Sequence, residues 1–234
     1  MIGELAFSKV DIAIHESGPH LKPSEVATDV TLAAQRIRIG PSLSPAAFSV
    51  DIECDSETEA TRQLAAICKL GRLSAVPIVT IAAGSVGNGM DADVKRLSKL
   101  SRLVHGEGLT LTVATKTGTV TETPTGAREL CERVPNLGLT LDPSHFVNGP
   151  HQGATFDEVY PFVRHCHLRD SGRAPGKLQV RVGQGEIEYG RIISQLERFH
   201  YNRLLTVAIY DLPDGPFAME TEVRKLKFLL ESLV

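Results

Sequence analysis

The sequence predicts one α/β domain built as a parallel (β/α) barrel with seven recognisable strands. Short β-branched runs alternate with amphipathic runs long enough for helices, and strands separated by helices pair in parallel. A length of 234 residues without a Pro/Ser-rich linker suits one barrel-sized domain, so we expect a single domain over 1–234. A doubly wound open sheet would use the same alternation and is the runner-up, although the sequence lacks the Gly-rich loop that usually follows its first strand.

The alternation defines the predicted elements one by one. The predicted strands are 10–15, a weaker 37–45, 77–84, 109–116, 137–146, 163–170 and 204–211. The predicted helices are 56–73, 91–106, 124–134, 155–162, 187–199 and a C-terminal helix that begins near 219. Pro124 at a first-turn position and Asp91 as a cap mark two of the helix starts.

One strand of the expected barrel is missing from this pattern. A closed (β/α) barrel has eight strands, and the opening residues GELAF (3–7) read as the end of a helix that runs into the first recognisable strand. We therefore expect the first strand and most of its helix to be absent. Because an open sheet edge exposes unpaired backbone groups, the C-terminal segment, dimerisation or a rearranged N-terminus should cover it.

The net charge and the positions of the cysteines limit which binding partners and which cellular compartment we expect. The formal net charge of −3 gives no electrostatic reason to expect nucleic acid as a partner. The four cysteines occur singly, without a Cys-x-x-Cys pair, which argues against a disulfide framework or a structural zinc site. The sequence shows neither a signal peptide nor an apolar run of about 20 residues, so we expect a cytoplasmic protein without a membrane partner.

Polar side chains collect where the predicted strands end, which in a parallel barrel is the mouth of the active site. They are His15 and Glu16, Thr115 and Lys116, Asp142 with Ser144 and His145, and His165, His167, Arg169 and Asp170. Any single histidine is more often a packing residue, but Asp142, His145 and His167 at consecutive strand ends together favour a divalent-metal site. Three histidines in helices or loops are assigned to structure or surface: His105, His151 and His200.

Three segments of the sequence, which include the polar residues at this mouth, resemble segments of a known family. LGLTLDPSHF (137–146), VRHCHLRD (163–170) and the stretch 182–211 resemble segments of the xylose isomerase-like TIM barrel family of sugar isomerases and epimerases. The similarity extends from near residue 7 to the C-terminus. It implies a sugar or sugar phosphate as substrate, isomerase or epimerase activity, and a divalent metal such as Mn, Mg, Co or Zn.

The resemblance also implies roles for individual residues. Asp142 and His167 match metal ligands, while His145 matches a residue on the metal or substrate side and is a candidate catalytic group. Arg169 and Asp170 match positions beside the substrate.

The chain departs from the family pattern at two positions. The family places a glutamate in strand five and another in the last strand, where both commonly bind the metal and transfer protons, and the matching residues here are Ala114 and Ala208. Acid–base groups typically contribute about 10²–10⁴-fold each, so losing two is severe. One carboxylate with neutral imidazoles could hold zinc weakly and suits Mg²⁺ or Mn²⁺ poorly. We therefore predict that activity is weak or lost and that the metal is weakly held or absent.

Side-chain alternation along the strands adds further candidates for the mouth. Lys116 shares a strand face with Ala114, so its ammonium is predicted to bind a phosphate, carboxylate or enediolate oxygen, as a catalytic or substrate-binding group. A solvent-directed Lys116 is an equal alternative. By the same alternation His15 and Tyr210 are predicted to contact substrate. The loop 183–186 could bind phosphate through its N–H groups, but a tight turn is the favoured interpretation.

Three functions stay open on the sequence alone. The first is a sugar or sugar-phosphate isomerase/epimerase-like enzyme with weakened chemistry. The second is a non-catalytic barrel that binds a carbohydrate or a partner protein. The third, a metal-dependent phosphoesterase of the apurinic-endonuclease kind, is the least favoured because it needs more metal ligands and a basic surface.

Overall fold

The computed structural model describes residues 2–18, 20–38, 43–54, 56–152, 154–211 and 217–234. Within these ranges the elements are β1 Lys9–His15, α1 Pro23–Thr28, α2 Val30–Arg38, β2 Ser44–Asp51, α3 Glu57–Leu73, β3 Ile78–Ala82, α4 Met90–Gly106, β4 Thr110–Ala114, α5 Pro124–Arg133, β5 Gly138–Leu141, α6 Ser144–Asn148, β6 Val163–Leu168, α7 Tyr189–Arg198, β7 Leu205–Val207 and α8 Met219–Glu231. Short 3₁₀ segments occupy Val86–Asn88 and Asp157–Phe162. None of the helices in these ranges combines the length and the apolar character that crossing a bilayer requires.

The strands follow one another in the sheet in chain order, from β1 to β7. The β1–β2, β2–β3, β5–β6 and β6–β7 pairs are parallel. Neighbouring parallel strands joined by helices have the connectivity of a (β/α) barrel. The predicted fold class and the count of seven strands are therefore confirmed for the described part of the chain.

The prediction of a strand over 37–45 is wrong. The segment begins in the last turn of α2, residues 39–42 lie outside the described residues, and β2 starts only at Ser44. The residues RIR (36–38) of this alternating pattern form the end of an amphipathic helix that buries Ala33 and Ala34. Basic side chains are favourable there because the carboxyl end of a helix carries partial negative charge.

The helices α1 and α2 were not predicted at all. Pro23 stands in the first turn of α1, a position that proline favours, and was the signal available for it. The predicted helix end at 3–7 is also wrong, because residues 2–6 form a turn in which Ala6 has a φ of 56°.

Other predicted elements also differ from the structure, and several strands are shorter than predicted. Strand β5 ends at Leu141, earlier than predicted, because Pro143 has a φ of −62° and leads into the short helix α6. The predicted helix 155–162 is a 3₁₀ segment that contains Pro161. Asp91 lies inside the first turn of α4 and its carboxylate pairs with Arg133, 2.5 Å away, instead of capping the helix.

The described chain divides into two compact units, each assembled from separate segments. Unit 1 comprises Met1–Ala82, Asp91–Val113 and Cys131–Gly138, and unit 2 comprises Ala83–Met90, Ala114–Leu130 and Leu139–Val234. A single domain over 1–234 stays a prediction.

Unit 1 packs α3 and α4 over its strands. Phe48, Leu64, Leu97 and Leu111 are almost completely buried. Gly71 on α3 permits a close approach, because a Cβ there would lie 2.6 Å from a methyl carbon of Leu109. The apolar face of each helix therefore fixes its position over the sheet.

Unit 2 has its own apolar core and carries most of the predicted mouth. Leu141, Phe146, Leu168, Ile192 and Leu226 are buried in it, from β5, α6, β6, α7 and α8 respectively. Because β5 and β6 are parallel neighbours, their carboxyl ends lie at the same edge of the sheet, and the polar residues that follow them meet there.

Candidate functional site

A buried ion pair joins the ends of β5 and β6 in unit 2. Asp142 follows β5 and Arg169 follows β6, and Arg169 Nη2 lies 2.7 Å from Asp142 Oδ2. Each residue is only 5% exposed to solvent. A buried pair of charges is stable only when additional hydrogen bonds satisfy its remaining donors and acceptors.

Ser144 and Thr115 supply such hydrogen bonds. The Ser144 backbone N–H and hydroxyl both donate to Asp142 Oδ1, and Arg169 Nε donates to Ser144 Oγ over 2.8 Å. The Thr115 hydroxyl accepts from the Asp142 N–H at 2.8 Å and donates to the Asp142 carbonyl at 3.0 Å. Both carboxylate oxygens of Asp142 are therefore engaged, and its backbone is fixed to the end of β4.

His145 completes this cluster. Its Nε2 lies 3.2 Å from Arg169 Nη2 and its Nδ1 lies 3.2 Å from Thr117 Oγ1. A guanidinium can only donate, so Nε2 accepts from Arg169, while Nδ1 faces both the hydroxyl and the backbone N–H of Thr117. Burial lowers the pKa of His145; the Asp142 carboxylate opposes this effect, and the positive charges of Arg169 and Lys116 reinforce it. His145 is therefore neutral at neutral pH.

In this arrangement Asp142 and His145 do not fit a divalent cation. A guanidinium already lies against the carboxylate, and both oxygens have donors. Within the described ranges, Asp142, His145 and His167 do not bring three ligand atoms within 4.8 Å of one another. The metal-ligand set drawn from the resemblance stays a prediction, and the contacts of Asp142 argue against it.

His165 and His167 form a second polar group on β6. They lie on one strand face with ring centroids 5.0 Å apart and planes at 80°, and each offers a ring nitrogen within 4.8 Å of the other. His165 is buried, with Nε2 3.4 Å from the Thr206 hydroxyl on β7. Two imidazoles are borderline ligands of the kind that zinc accepts. The role of His165 beside His167 was not assigned from sequence, although the i, i+2 spacing on one strand is a signal for it.

Asp170 is directed at the glycine loop. Its Oδ2 accepts from the N–H groups of Gly183 and Gly185 at 2.8 and 3.0 Å, and Oδ1 accepts from Ser171 N–H at 3.0 Å. The Asp170 side chain is buried. The N–H groups of Gly183 and Gly185 therefore bind a carboxylate of the protein itself. Contact between Asp170 and substrate stays a prediction.

Two predicted substrate residues lie on the exposed side of the cluster. Tyr210 is half exposed, and the Arg169 guanidinium lies 5.2 Å from the centroid of its ring. The Tyr210 N–H and carbonyl are both hydrogen-bonded to the Gln179 side chain at 2.8 Å. Lys116 follows β4, its side chain is exposed, and its carbonyl accepts from Thr119 Oγ1.

His15 belongs to unit 1 rather than to this cluster's unit. It is the last residue of β1 and is half-buried, and its N–H donates to the Leu21 carbonyl at 3.0 Å. Its predicted role in substrate binding stays a prediction.

Ala114 and Ala208, at the positions where the resemblance predicts glutamates, lie at strand ends in unit 2. Ala114 is the last residue of β4, and its carbonyl accepts from Thr121 Oγ1 at 2.8 Å. Ala208 directly follows β7, is 8% exposed, and donates its N–H to the Leu168 carbonyl. A carboxylate at Ala208 would be buried, so it would need a cation or a hydrogen-bond donor beside it.

Solved structures with the same fold have little sequence in common with this chain. A xylose isomerase domain protein from Planctomyces limnophilus has a TM-score of 0.73 at 16% identity, over 99% of this chain and 89% of that one. A xylose isomerase-like TIM barrel protein from Mycobacterium smegmatis, in complex with magnesium, has a TM-score of 0.72 at 16% identity, over 100% and 87%. A D-tagatose 3-epimerase-like protein has a TM-score of 0.73 at 17% identity, over 99% and 91%. At such identities the likeness shows the fold alone.

No curated protein matches the chain. The model of the family described as xylose isomerase-like TIM barrel matches residues 4–229, which is nearly the whole sequence. The chain therefore belongs to the xylose isomerase-like TIM barrel family.

Proposed function

We propose that the protein binds a sugar or sugar phosphate at the strand-end cluster of unit 2, as an isomerase/epimerase-like member of its family with weak or lost turnover. The single observation that carries this proposal is the buried network of Arg169, Asp142 and His145, whose guanidinium also lies against the half-exposed ring of Tyr210. A fixed set of donors with an aromatic face beside it suits a polyhydroxylated ligand. Exposed Lys116 adds a positive charge for a phosphate.

Proton transfer is the weak part of this site. Removing a proton next to a carbonyl needs a base within reach, and the positions of the family's two glutamates hold Ala114 and Ala208. Asp142 is neutralised by Arg169, and the accepting nitrogen of His145 faces the same guanidinium. The cluster is therefore better suited to binding and orienting a sugar than to catalysing its conversion.

We propose that a divalent metal (Mn, Mg, Co or Zn) is weakly held or absent. The His165–His167 pair supplies the ligand nitrogens that would hold it in unit 2, and such an ion would polarise substrate oxygens. Magnesium is bound in the Mycobacterium smegmatis relative, which has only 16% identity to this chain.

A non-catalytic carbohydrate-binding barrel is the second candidate. Ala114, Ala208 and the closed Asp142–Arg169 pair favour it, because each removes a proton-transfer or metal-binding group. An apurinic-endonuclease-like phosphoesterase lacks comparable support.

The compartment and partners are also proposals. All four cysteines are free thiols, which agrees with a reducing cytoplasm. We further propose a small-molecule ligand without a nucleic-acid or membrane partner, and a homodimer as one way to cover a sheet edge.

Binding and turnover are tested on the same protein. Titration calorimetry with pentoses, hexoses and their phosphates should detect at least one ligand, and proton NMR of that ligand follows its interconversion with and without Mn²⁺. Tyr210→Ala and Lys116→Ala should weaken binding, whereas Lys69→Ala, which removes an exposed lysine of α3 in unit 1, should not. A panel without any bound sugar or phosphate would refute the proposal, and rapid interconversion would refute its weak-turnover part.

A further inference from the structure

We infer that the Arg169 guanidinium takes the electrostatic place of a divalent cation beside Asp142, so that the chain itself supplies the fixed positive charge of the site. The inference rests on the proposed function only for the location of the ligand site. It identifies Arg169 as the positioning residue of the cluster.

The contacts of Arg169 resemble those of a coordinated cation. Nη2 lies 2.7 Å from Asp142 Oδ2 and 3.2 Å from His145 Nε2, while Nε lies 2.8 Å from Ser144 Oγ. A carboxylate oxygen, an imidazole nitrogen and a hydroxyl oxygen thus converge on one positive group. The imidazole Nε2 that would donate its lone pair to a metal accepts a hydrogen bond from this group instead.

Charge balance supports the same conclusion. The single negative charge of Asp142 is matched by the single positive charge of the Arg169 guanidinium, and residues 114 and 208 are uncharged alanines. A divalent ion at the same carboxylate would leave an excess of positive charge, and repulsion between like charges is strong where water is excluded. Both Asp142 and Arg169 are buried, so solvent would screen this repulsion poorly.

The inference predicts that removing Arg169 creates a metal site. Wild-type protein should bind Mn²⁺ only weakly in titration calorimetry and electron paramagnetic resonance. Arg169→Gln should bind Mn²⁺ about tenfold more tightly or better, which corresponds to about 1.4 kcal/mol. Adding Asp142→Asn to that variant should abolish the gain.

Arg164→Gln is the matched control. Arg164 lies on β6, the strand that Arg169 follows, but its Nη1 donates to the carbonyls of Pro161 and Val163 and not to Asp142. The same change of side chain should therefore leave the affinity for Mn²⁺ at the wild-type value. A gain in this control equal to the gain in Arg169→Gln would overturn the inference.

Arg169→Lys keeps the experiment decisive if the glutamine variant does not fold. It retains the positive charge, so Mn²⁺ should bind as weakly as in wild type. Tight stoichiometric Mn²⁺ binding by wild type that Asp142→Asn removes would overturn the inference outright. Sugar binding is measured separately from Mn²⁺ binding. A failure of the proposed function and a failure of the inference about Arg169 are therefore distinguishable.

Discussion

At the scale of single residues, the site depends on how Asp142 and Arg169 neutralise each other. The two charges are buried, and each has hydrogen bonds to Ser144 in addition to the ion pair. Removing one partner leaves an uncompensated buried charge, which is far more costly than removing both. This asymmetry distinguishes a buried pair from the exposed pairs of the surface.

The stability of the Asp142–Arg169 pair is measurable by urea unfolding. Asp142→Ala should lower the free energy of unfolding by about 3–5 kcal/mol. The double variant Asp142→Ala/Arg169→Met should lose less than the sum of the single changes. The exposed pair Arg191–Asp157 is the control, and Asp157→Ala should cost about 0–1 kcal/mol. Equal losses at both sites would show that the buried pair is not special.

The thiols give a second test at this scale. Burial raises the pKa of Cys68 to about 12, with the charge of Glu107 adding to the effect, and burial together with Asp142 also raises the pKa of Cys166. Cys54 is half exposed. At pH 8 a thiol reagent should therefore modify Cys54 first and the buried thiols only on unfolding, as peptide mass spectrometry can show. Rapid modification of Cys68 in folded protein would contradict the packing of α3.

At the scale of elements, the polar loop after β6 is held by two carboxylates. Asp170 binds the amides of Gly183 and Gly185, and Glu222 of α8 accepts from the N–H of Val182 at 2.8 Å. Glu222 also pairs with Lys225 at 2.8 Å. The loop therefore depends on contacts with β6 and α8 rather than on its own sequence.

Glu222 should make stability depend on pH. Burial opposes ionisation, but the hydrogen bonds from Lys225 and Val182 hold the pKa of Glu222 below its ordinary value of 4.5. A lowered folded-state pKa stabilises the fold above the ordinary value, and this contribution is lost as pH falls through the folded-state pKa. Glu222→Gln should therefore be less stable than wild type at pH 7, by about 1 kcal/mol, and nearly equal at low pH.

Thermal melts across this pH range measure the effect. Glu231→Gln, on the same helix and exposed, serves as the control. If the difference in thermal stability between Glu222→Gln and wild type is the same at pH 7 and at low pH, Glu222 does not make stability depend on pH.

Two glycines of unit 2, Gly185 and Gly190, differ in the space available for a side chain. A Cβ on Gly185 would lie 2.0 Å from Asp170 Oδ1, so Gly185→Ala must displace the loop and should destabilise the protein by about 1–3 kcal/mol. Gly190 on α7 has no atom within 4 Å of an added Cβ. Gly190→Ala should be neutral or stabilising, since alanine favours helices. The reverse order of stability in urea unfolding would contradict the described loop.

Prediction from sequence succeeded for segments in which a hydrophobic pattern repeats many times, and failed for short segments. The helix α3 spans five turns of amphipathic pattern and was located within one residue. The last turn of α2 and a short strand share an alternating pattern, so the strand 37–45 was misassigned. At the site, Asp142 and His145 were predicted as metal ligands from the resemblance, which stays a prediction, and the pairing of Arg169 with Asp142 was not predicted, because it depends on which strand ends meet.

At the scale of the whole molecule, the chain has the family's fold, and alanine stands at two positions, 114 and 208, where the resemblance predicts glutamates. Restoring them with Ala114→Glu and Ala208→Glu should raise affinity for Mn²⁺ by about tenfold or more, because each added carboxylate is a hard oxygen ligand. Gln substitutions at the same positions control for size. Unchanged affinity in the glutamate variant would show that these strands are aligned wrongly with the family.

The central claim is that this protein binds a sugar or sugar phosphate through a guanidinium site that needs no metal. Titration of wild-type protein with its best ligand, in buffer that contains a strong chelator and then in buffer with Mn²⁺, tests the claim most directly. We predict the same dissociation constant in both buffers. Binding that disappears in the chelator and returns with Mn²⁺ would contradict the account.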